Sequence, residues 1–315
     1  MSETIYLNDT IPEQAAGRRL DQVLAELFPR YSRSRLQQWT KQGHVLVDGK
    51  PAAVRQRVLG GEAVEIQAEL QEEGAVEPEN IALDIVYQDD QVRVINKPAG
   101  LVVHPAAGNR SGTLQNALLY LDPSLATVPR AGIVHRLDKD TSGLMVVART
   151  LEAHTSLVGQ LQARTVSREY LALVHTVLTA GGTIDAPIGR HPKDRLRMAV
   201  VESGKPAVSH YRVLERFAAH TLVQVRLETG RTHQIRVHMA HIHCPLVGDP
   251  VYGGRLRVPR GASERLREAL QGFRRQALHA QRLAFVHPQS GETVCWEVEP
   301  PEDFTALLDV VRSEV

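Results

Sequence analysis

The sequence predicts an α+β protein in two parts, a small basic unit and a larger domain with a largely antiparallel sheet. Strand-like runs are neighbours along the chain and helical runs are set apart from them, which favours this class. Nine Lys or Arg against three acids lie in residues 18–57, whereas residues 62–90 hold ten acids and no Lys or Arg. This uneven charge predicts a basic unit over 16–70, an acidic linker over 71–80 and a second domain over 81–315.

The basic unit is predicted to contain two short helices and a hairpin. A first helix is indicated by apolar residues at helical spacing: Leu20, Val23, Leu24 and Leu27. A second helix begins after Ser32, and an Asp48-Gly49 turn predicts the hairpin. Five cations of this unit have the charge and reach to contact RNA phosphates: Arg19, Arg33, Arg35, Lys41 and Lys50. The alternative is that they are ordinary solvated side chains.

The second domain combines strand-like and helical runs. β-branched and apolar residues predict strands, in chain order, over 81–87, 92–95, 131–134, 144–148, 170–174, 207–214 and 221–227. Helical periodicity predicts helices over 114–121, 153–163 and 264–270. Strands that follow one another with few helices between them favour antiparallel pairing.

Composition predicts a cytoplasmic protein. No apolar run reaches the roughly 18 residues that a membrane span needs, and the first residues lack the pattern of a secretory signal. Cys244 and Cys295 are far apart and form no C-x-x-C pair, which suits a reducing compartment. We therefore expect no membrane partner and no disulfide.

Asp138 stands between cations in the centre of the chain, in the run GIVHRLDKDTSGL at 132–144. Because strands are predicted before and after it, Asp138 should lie on a connecting loop, where functional residues concentrate. Arg136 and Lys139 flank it, and neighbouring cations favour the charged form of a carboxylate, which can act as nucleophile or base. The alternative is a structural turn in which Asp138 or Asp140 caps backbone N–H groups.

Two known catalytic signatures match this run only in part. Kinase loops read H-R-D, but Leu137 separates Arg136 from Asp138, and no D-F-G follows to hold magnesium. The D-x-D-x-T pattern of aspartyl-phosphate enzymes fits Asp138 and Asp140 but has Ser142 in place of Thr. Phosphoryl transfer is therefore a weak alternative.

The run HRLDKDTSG at 135–143 resembles the catalytic motif of the RluA family of RNA pseudouridine synthases. Further family motifs are matched in the same order by four other runs: NKPAGL at 96–101 with His104-Pro105, SREY at 167–170, ETGRTHQIRVH at 228–238, and LHA at 278–280 through His287-Pro288. The two helices followed by VLVDGK resemble the S4 RNA-binding module. The resemblance implies a pseudouridine synthase domain preceded by an S4-like domain.

The activity implied by the resemblance is isomerisation of uridine in RNA to pseudouridine, which breaks the N1–C1′ bond and makes a C5–C1′ bond. Asp138 would attack the sugar or the base, or remove the 2′ proton. Tyr170 would stack on the uracil, and its hydroxyl would accept the C5 proton, while Arg231 would pair with Asp138. Arg136 would fill the space left by the extruded base. Contacts with the RNA backbone at the rim are expected from three residues: Lys97, His104 and Lys139.

The resemblance also implies the partners. The arrangement of the whole chain points to uridines in a stem-loop of large-subunit ribosomal RNA, and the isomerisation needs no cofactor. His233, His238, His241, His243 and Cys244 form a cluster, but their spacing fits no standard zinc site and Arg residues stand among them, so no metal is expected. The rival interpretation is a non-catalytic RNA-binding or ribosome-assembly factor on the same fold.

Overall fold

The structure, a computed structural model, divides the chain into two compact units, Met1–Ala75 and Val76–Val315. It describes residues 4–29, 31, 33–69, 76–106, 109–194 and 197–314, except for the side chains of Thr4, Ser34, Arg35 and Glu69. The predicted linker residues 71–75 lie outside this description. No helix in the described part of the chain is both long enough and apolar enough to cross a membrane.

Among its described residues, the first unit has a four-stranded antiparallel sheet and two α-helices. In chain order its elements are β1 (Thr4–Thr10), α1 (Leu20–Leu27), α2 (Arg33–Lys41), β2 (Val45–Val47), β3 (Lys50–Pro51) and β4 (Ala63–Glu69). The strands lie in the order β1-β4-β2-β3. Both predicted helices and the hairpin are confirmed, and Asp48 and Gly49 have the positive φ angles, 49° and 70°, that a tight hairpin turn requires. Strand β1 lies before residue 16, so the folded unit begins earlier than predicted.

The core of the first unit joins the apolar faces of both helices to one face of the sheet. Side chains that are almost completely buried come from every layer: Leu20, Leu24, Leu36, Val45, Val64 and Ile66. The apolar spacing in α1 places its buried residues on one side of the helix, which is why a helix of only eight residues is stable in this position.

The second unit has eleven strands and five α-helices among its described residues. The strands are β5 (Asp84–Gln88), β6 (Val92–Lys97), β7 (Ser142–Ala148), β8 (Ser167–His175), β9 (Gly182–Asp185), β10 (Ile188–Arg190), β11 (Met198–Val200), β12 (Val208–Arg216), β13 (His220–Leu227), β14 (Leu278–Val286) and β15 (Thr293–Glu297). The helices are α3 (Leu114–Leu121), α4 (Leu151–Gln162), α5 (Gln234–His241), α6 (Glu264–Gly272) and α7 (Glu302–Arg312).

Nine of the described strands form one mixed sheet in the order β5-β6-β7-β14-β8-β13-β12-β9, with β15 beside β14. All described pairs are antiparallel except β14 with β7, which are parallel where His279 meets Ser142. The predicted α+β class with a largely antiparallel sheet is confirmed. Strands β10 and β11 form a separate antiparallel pair.

The strand predicted over 131–134 is wrong. The chain forms a 3₁₀ turn, Pro129–Gly132, followed by an isolated bridge from Ile133 to Val147 on β7. Gly132 has φ +80°, and a Cβ atom there would lie 1.8 Å from the carbonyl oxygen of Ala148. This close approach prevents continuous pairing, so the run reaches the Asp138 loop as an irregular segment held against the sheet.

The last five residues of the predicted linker, 76–80, belong to the second unit. The Asn116 side chain donates to the carbonyl oxygen of Glu77 at 2.8 Å, and the Glu79 amide donates to the carbonyl of Asn116 at 3.1 Å. The Glu79 carboxylate accepts from the amide of Gly112. These bonds attach the segment to α3 and the loop before it.

Candidate active site

A cleft of about 910 Å³ opens in the second unit, between the Asp138 loop, α4, the start of β8 and the segment that leads into α5. Six arginines line the described cleft: Arg130, Arg136, Arg164, Arg168, Arg231 and Arg236. Its acidic side chains there are Asp138 and Glu228. Six cations against two acids give the cleft a positive charge suited to a polyanionic ligand.

Asp138 lies at the wall of this cleft, with 16% of its side chain exposed. Its backbone carbonyl accepts from the amide of Thr141 at 3.1 Å, which closes the turn that leads into β7. Its carboxylate accepts a hydrogen bond of 3.0 Å from Nη1 of Arg236. The structure thus presents the predicted carboxylate to the cleft and fixes one of its oxygens.

Arg236, not Arg231, is the partner of Asp138, so the predicted Arg231 pairing is wrong. Arg231 uses its Nε to donate to the carbonyl of Pro206 at 3.1 Å and has no ion pair with a described residue. Arg236 also donates from Nε and Nη2 to the two oxygens of Asp249, at 2.7 and 2.9 Å. Arg231 precedes α5, whereas the helix carries Arg236 to the buried side, where both carboxylates lie.

His233 is a second neighbour of Asp138 that the sequence did not single out for this position. It precedes α5 with a left-handed backbone, φ 57°, and its Nε2 lies 3.8 Å from Oδ1 of Asp138. Its Nδ1 lies 2.8 Å from the hydroxyl of Tyr252, which accepts from the amide of Met198 at 3.0 Å. Burial lowers the pKa of His233 against the opposing effect of Asp138, so its neutral form is favoured.

Tyr170 lies on β8 and is 6% exposed, packed in the apolar cluster that contains three leucines of the cleft wall: Leu137, Leu227 and Leu278. Burial raises the pKa of its hydroxyl, with Asp138 acting in the same direction and Arg168 opposing. The phenol is therefore protonated at neutral pH. A neutral aromatic ring in an apolar wall is suited to stacking on a base.

Arg136 and Lys139 are exposed on the Asp138 loop, as RNA contacts would require. Arg136 lines the cleft, and so does His104, whose Nδ1 lies 3.3 Å from Oε1 of Gln115. Burial lowers the pKa of His104, so its neutral form is favoured at the cleft.

Lys97 does not lie at the rim, and its predicted contact with RNA is wrong. It is 1% exposed, and its ammonium donates to three carbonyl oxygens, those of Pro98, Leu101 and Lys139, at 2.7, 2.9 and 2.9 Å. Burial lowers the pKa of Lys97 to about 7, although the carboxylates of Asp140 and Asp138 oppose the shift. Its hydrogen bonds connect the turn after β6 with Lys139, the residue that follows Asp138.

In the first unit, two of the five predicted phosphate contacts share a carboxylate. Asp21 is 1% exposed and accepts from Arg19, Arg33 and the amide of Gln37. These bonds outweigh desolvation and lower the pKa of Asp21 to about 2. Lys41 and Lys50 are exposed and have no ion pair with a described residue. The side chain of Arg35 lies outside the described residues.

The histidine cluster is only partly buried, because His241 and His243 are exposed. His238 lies 2.9 Å from both Oγ of Ser209 and the carbonyl oxygen of Ala186, and Cys244 is buried. Across the described ranges, no group of three or more His, Cys, Asp or Glu side chains could hold a metal ion.

Comparison with known proteins shows an RNA pseudouridine synthase with an S4 module before the catalytic domain. The family model described as RNA pseudouridylate synthase matches residues 91–241, and the S4 domain model matches residues 18–64. Together with the relatives described next, these matches show that the chain belongs to the RNA pseudouridine synthase family, as its motifs predicted.

Relatives named ribosomal large subunit pseudouridine synthase D are similar over nearly the whole chain. The one from Xanthomonas campestris pv. campestris is 59% identical over 304 residues, 96% of this chain and 92% of the relative. The one from Escherichia coli strain K12 is 56% identical over 315 residues, 100% of this chain and 97% of the relative. The solved structure of human RNA pseudouridylate synthase domain containing 4 matches with a TM-score of 0.57 at 28% identity, over 73% of this chain and 93% of that one.

Proposed function

We propose that this enzyme isomerises uridines in a stem-loop of large-subunit ribosomal RNA, with Asp138 as the reacting group. The observation that carries the proposal is the geometry around Asp138, whose carboxylate faces a positively charged cleft, is held by Arg236 and shares the cleft with Tyr170. The names of the close relatives support large-subunit ribosomal RNA as the substrate. The S4 match supports RNA as the partner of the first unit.

The chemistry fits a carboxylate acting without an added cofactor. Isomerisation breaks N1–C1′, turns the uracil and joins C5 to C1′, with loss of the C5 proton and gain of a proton at N1, so no redox change or energy input is required. Attack of Asp138 on the sugar or the base, or removal of the 2′ proton, each begins from the carboxylate form. Arg236 stabilises that form and fixes the direction of one oxygen.

The substrate base has to leave its stack to reach Asp138, which costs a few kcal/mol. Arg136 is exposed beside the reacting carboxylate, so its planar guanidinium can occupy the space that the base leaves. Tyr170 then stacks on the uracil. Because burial raises the pKa of Tyr170, the protonated hydroxyl is a poor acceptor for the C5 proton, and we assign the tyrosine to stacking and confinement.

The first unit would bind RNA through phosphate contacts of Lys41 and Lys50, and we assign Arg19 and Arg33, which pair with the buried Asp21, to the stability of the unit. A ribosomal RNA substrate and the two free cysteines suit a cytoplasmic location.

The test is to map pseudouridine in ribosomal RNA from cells with and without the gene, by carbodiimide treatment and primer extension. Loss of specific stops in large-subunit RNA, restored by the gene, supports the proposal. If the same stops persist without the gene while subunit assembly is impaired, the chain is a non-catalytic assembly factor.

A further inference from the structure

Arg168 is a buried cation in the cleft that has no partner among the residues that the structure describes. It lies on β8 two residues before Tyr170, so both side chains project from the same face of the sheet. The residue is 7% exposed and lines the cleft. Its buried Nε has no hydrogen-bond partner, and the guanidinium has no hydrogen bond or ion pair with any other described residue.

A buried and unpaired Nε is costly for a charged group. A guanidinium removed from water is ordinarily paired with a carboxylate or several carbonyl oxygens, because burial of an unpaired charge costs several kcal/mol. Arg236 in the same cleft follows that rule, with Asp138 and Asp249 as partners. Arg168 has no such partner among the described residues: its Nε is buried and unpaired, and the rest of its guanidinium faces the cleft, where a bound ligand can accept from its N–H groups.

The backbone beneath Arg168 holds the guanidinium at the depth of the reacting groups. Its Nη1 lies 2.9 Å from the position that a Cβ would occupy on Gly230, so a residue larger than glycine there would push it away. The charge acts on two neighbours: burial raises the pKa of Tyr170 and Arg168 opposes that shift, whereas burial lowers the pKa of His135 and Arg168 adds to that shift. Arg168 therefore lies beside the ring on which the uracil is proposed to stack.

We propose that Arg168 is a catalytic residue that donates a hydrogen bond to a carbonyl oxygen of the uracil and stabilises the anion formed when the glycosidic bond breaks. This inference rests on the proposed function. When N1–C1′ breaks after attack on the sugar or loss of the 2′ proton, its electron pair leaves with the uracil, and the charge is shared by N1, O2 and O4. It disappears when C5 bonds to C1′, as the bond from C1′ to Asp138 breaks and releases the carboxylate or, on the other route, as the 2′ carbon regains its proton. The C5 proton then leaves and N1 is protonated.

A neutral uracil gains less from a buried cation than its anion does, so the interaction strengthens as the bond breaks. The depth of Arg168 distinguishes this role from binding of an RNA phosphate. The rim arginines are open to the RNA backbone, since Arg136 is exposed and the Arg164 side chain is 48% exposed. RNA phosphates are bulky and lie on the outside of the RNA. The extruded base is the part of the RNA that can reach the apolar side chains around Tyr170.

The experiment uses the full chain and an in vitro transcript of large-subunit ribosomal RNA, which contains no pseudouridine. Single-turnover conversion at saturating enzyme and RNA affinity over a salt series are measured for wild type, Arg168→Gln and Arg168→Lys. Arg282→Gln is the matched control, because Arg282 lies on neighbouring β14, pairs with Glu169 and does not line the cleft.

We expect Arg168→Gln to lower the saturating rate about 10²- to 10³-fold, with affinity within a few fold and an unchanged salt slope. Arg168→Lys, which keeps the charge, should recover part of the rate. A wild-type saturating rate in folded Arg168→Gln would overturn the proposal. Weaker RNA binding, with a dependence of log affinity on log salt that is shallower by about 0.7 to 0.9, would also overturn it, because that change identifies a phosphate contact.

Thermal unfolding shows whether Arg168→Gln is folded. If it is not, a second variant tests the proposal. Gly230→Ala keeps every charge and displaces Nη1 of Arg168, and it should also lower the saturating rate; a wild-type rate there contradicts the proposal. If wild type and Arg282→Gln both convert no uridine, the proposed function itself fails. If both are active and the Arg168 variants are too, only the role of Arg168 fails.

Discussion

The guanidinium of Arg236 is bonded to Asp138 at 3.0 Å and to both oxygens of Asp249. Asp249 has a fully buried side chain that also accepts from the amides of Val251 and Tyr252. Arg236 is therefore a rigid link between a fixed buried carboxylate and the reacting one. The planar fork makes this possible, because one arginine can satisfy one carboxylate with two nitrogens and still reach a second with the third.

The first prediction compares the two arginines of this segment. Arg236→Lys keeps a charge but cannot bind both carboxylates, so Asp138 should lose its orientation and the single-turnover rate should fall about 10²-fold. Arg231→Lys should cost far less, because the Arg231 side chain bonds only to a backbone carbonyl among the described residues. The measurement is conversion of a ribosomal RNA transcript at saturating enzyme. An equal loss in the two variants would be incompatible with the assigned pairing.

This segment also shows where prediction from sequence stops. The run at 228–238 identifies a cationic partner for Asp138, but it contains both Arg231 and Arg236. The choice depends on where α5 begins, and that is set by the left-handed His233, a conformation uncommon outside glycine. Asp249 comes from a different part of the chain, so only the tertiary structure places it beside Arg236.

The second prediction concerns Lys97, which binds three backbone carbonyls rather than RNA. Lys97→Met removes those bonds and frees the carbonyl of Lys139, next to Asp138. We expect a lower saturating rate with RNA affinity and salt slope unchanged, because the variant moves the loop but removes no phosphate contact. Filter binding over a salt series and single-turnover assays separate the two effects. A flatter dependence of log affinity on log salt in Lys97→Met would instead show that Lys97 contacts RNA at the rim of the cleft.

The third prediction separates phosphate contacts from structural arginines in the first unit. Lys41→Gln with Lys50→Gln should flatten the dependence of log affinity on log salt by about 0.7 to 0.9 for each lost contact, with the saturating rate little changed. Arg33→Gln should instead lower the stability of the unit, because it leaves the buried Asp21 carboxylate with one cation fewer. Binding titrations and thermal unfolding give the two readouts. Normal binding with an unchanged slope in the double variant would show these lysines to be solvated only.

The fourth prediction is a pH dependence of stability. His279 is fully buried between Oγ of Ser142 and the carbonyl of Val298, and burial lowers its pKa to about 4. An unfolded histidine titrates near 6.5, so between pH 6.5 and 4 the unfolded chain binds the extra proton. Stability should fall with decreasing pH in that window, by up to about 1.4 kcal/mol per pH unit from this group.

The check is urea unfolding at pH 7, 6 and 5, followed by the fluorescence of Trp296 in a Trp39→Phe background, since each unit contains one of the two tryptophans. The pH dependence of the unfolding free energy gives the number of protons taken up on unfolding. His279→Gln should lower that number by one. A slope identical to that of the parent would mean that the imidazole is not held neutral.

The elements that were predicted well have local causes. Helix α3 has the bounds that helical periodicity predicted, and in the structure Thr113 and Asn116 form a capping box at its start. The wrong strand over 131–134 has an apolar sequence, but its backbone is set by contact with Ala148 on β7. Lys97 was misplaced for a similar reason. A lysine is exposed by default, and only the carbonyls gathered by the fold keep its ammonium buried.

The most direct measurement of the central claim is the activity of Asp138→Asn. The substitution keeps the size of the side chain and a hydrogen-bond acceptor toward Arg236, but it removes the carboxylate charge. Conversion of uridine in a ribosomal RNA transcript should be abolished, while RNA affinity stays within a few fold of wild type. Measurable turnover by a preparation free of wild-type enzyme would contradict the assignment of Asp138 as the reacting group.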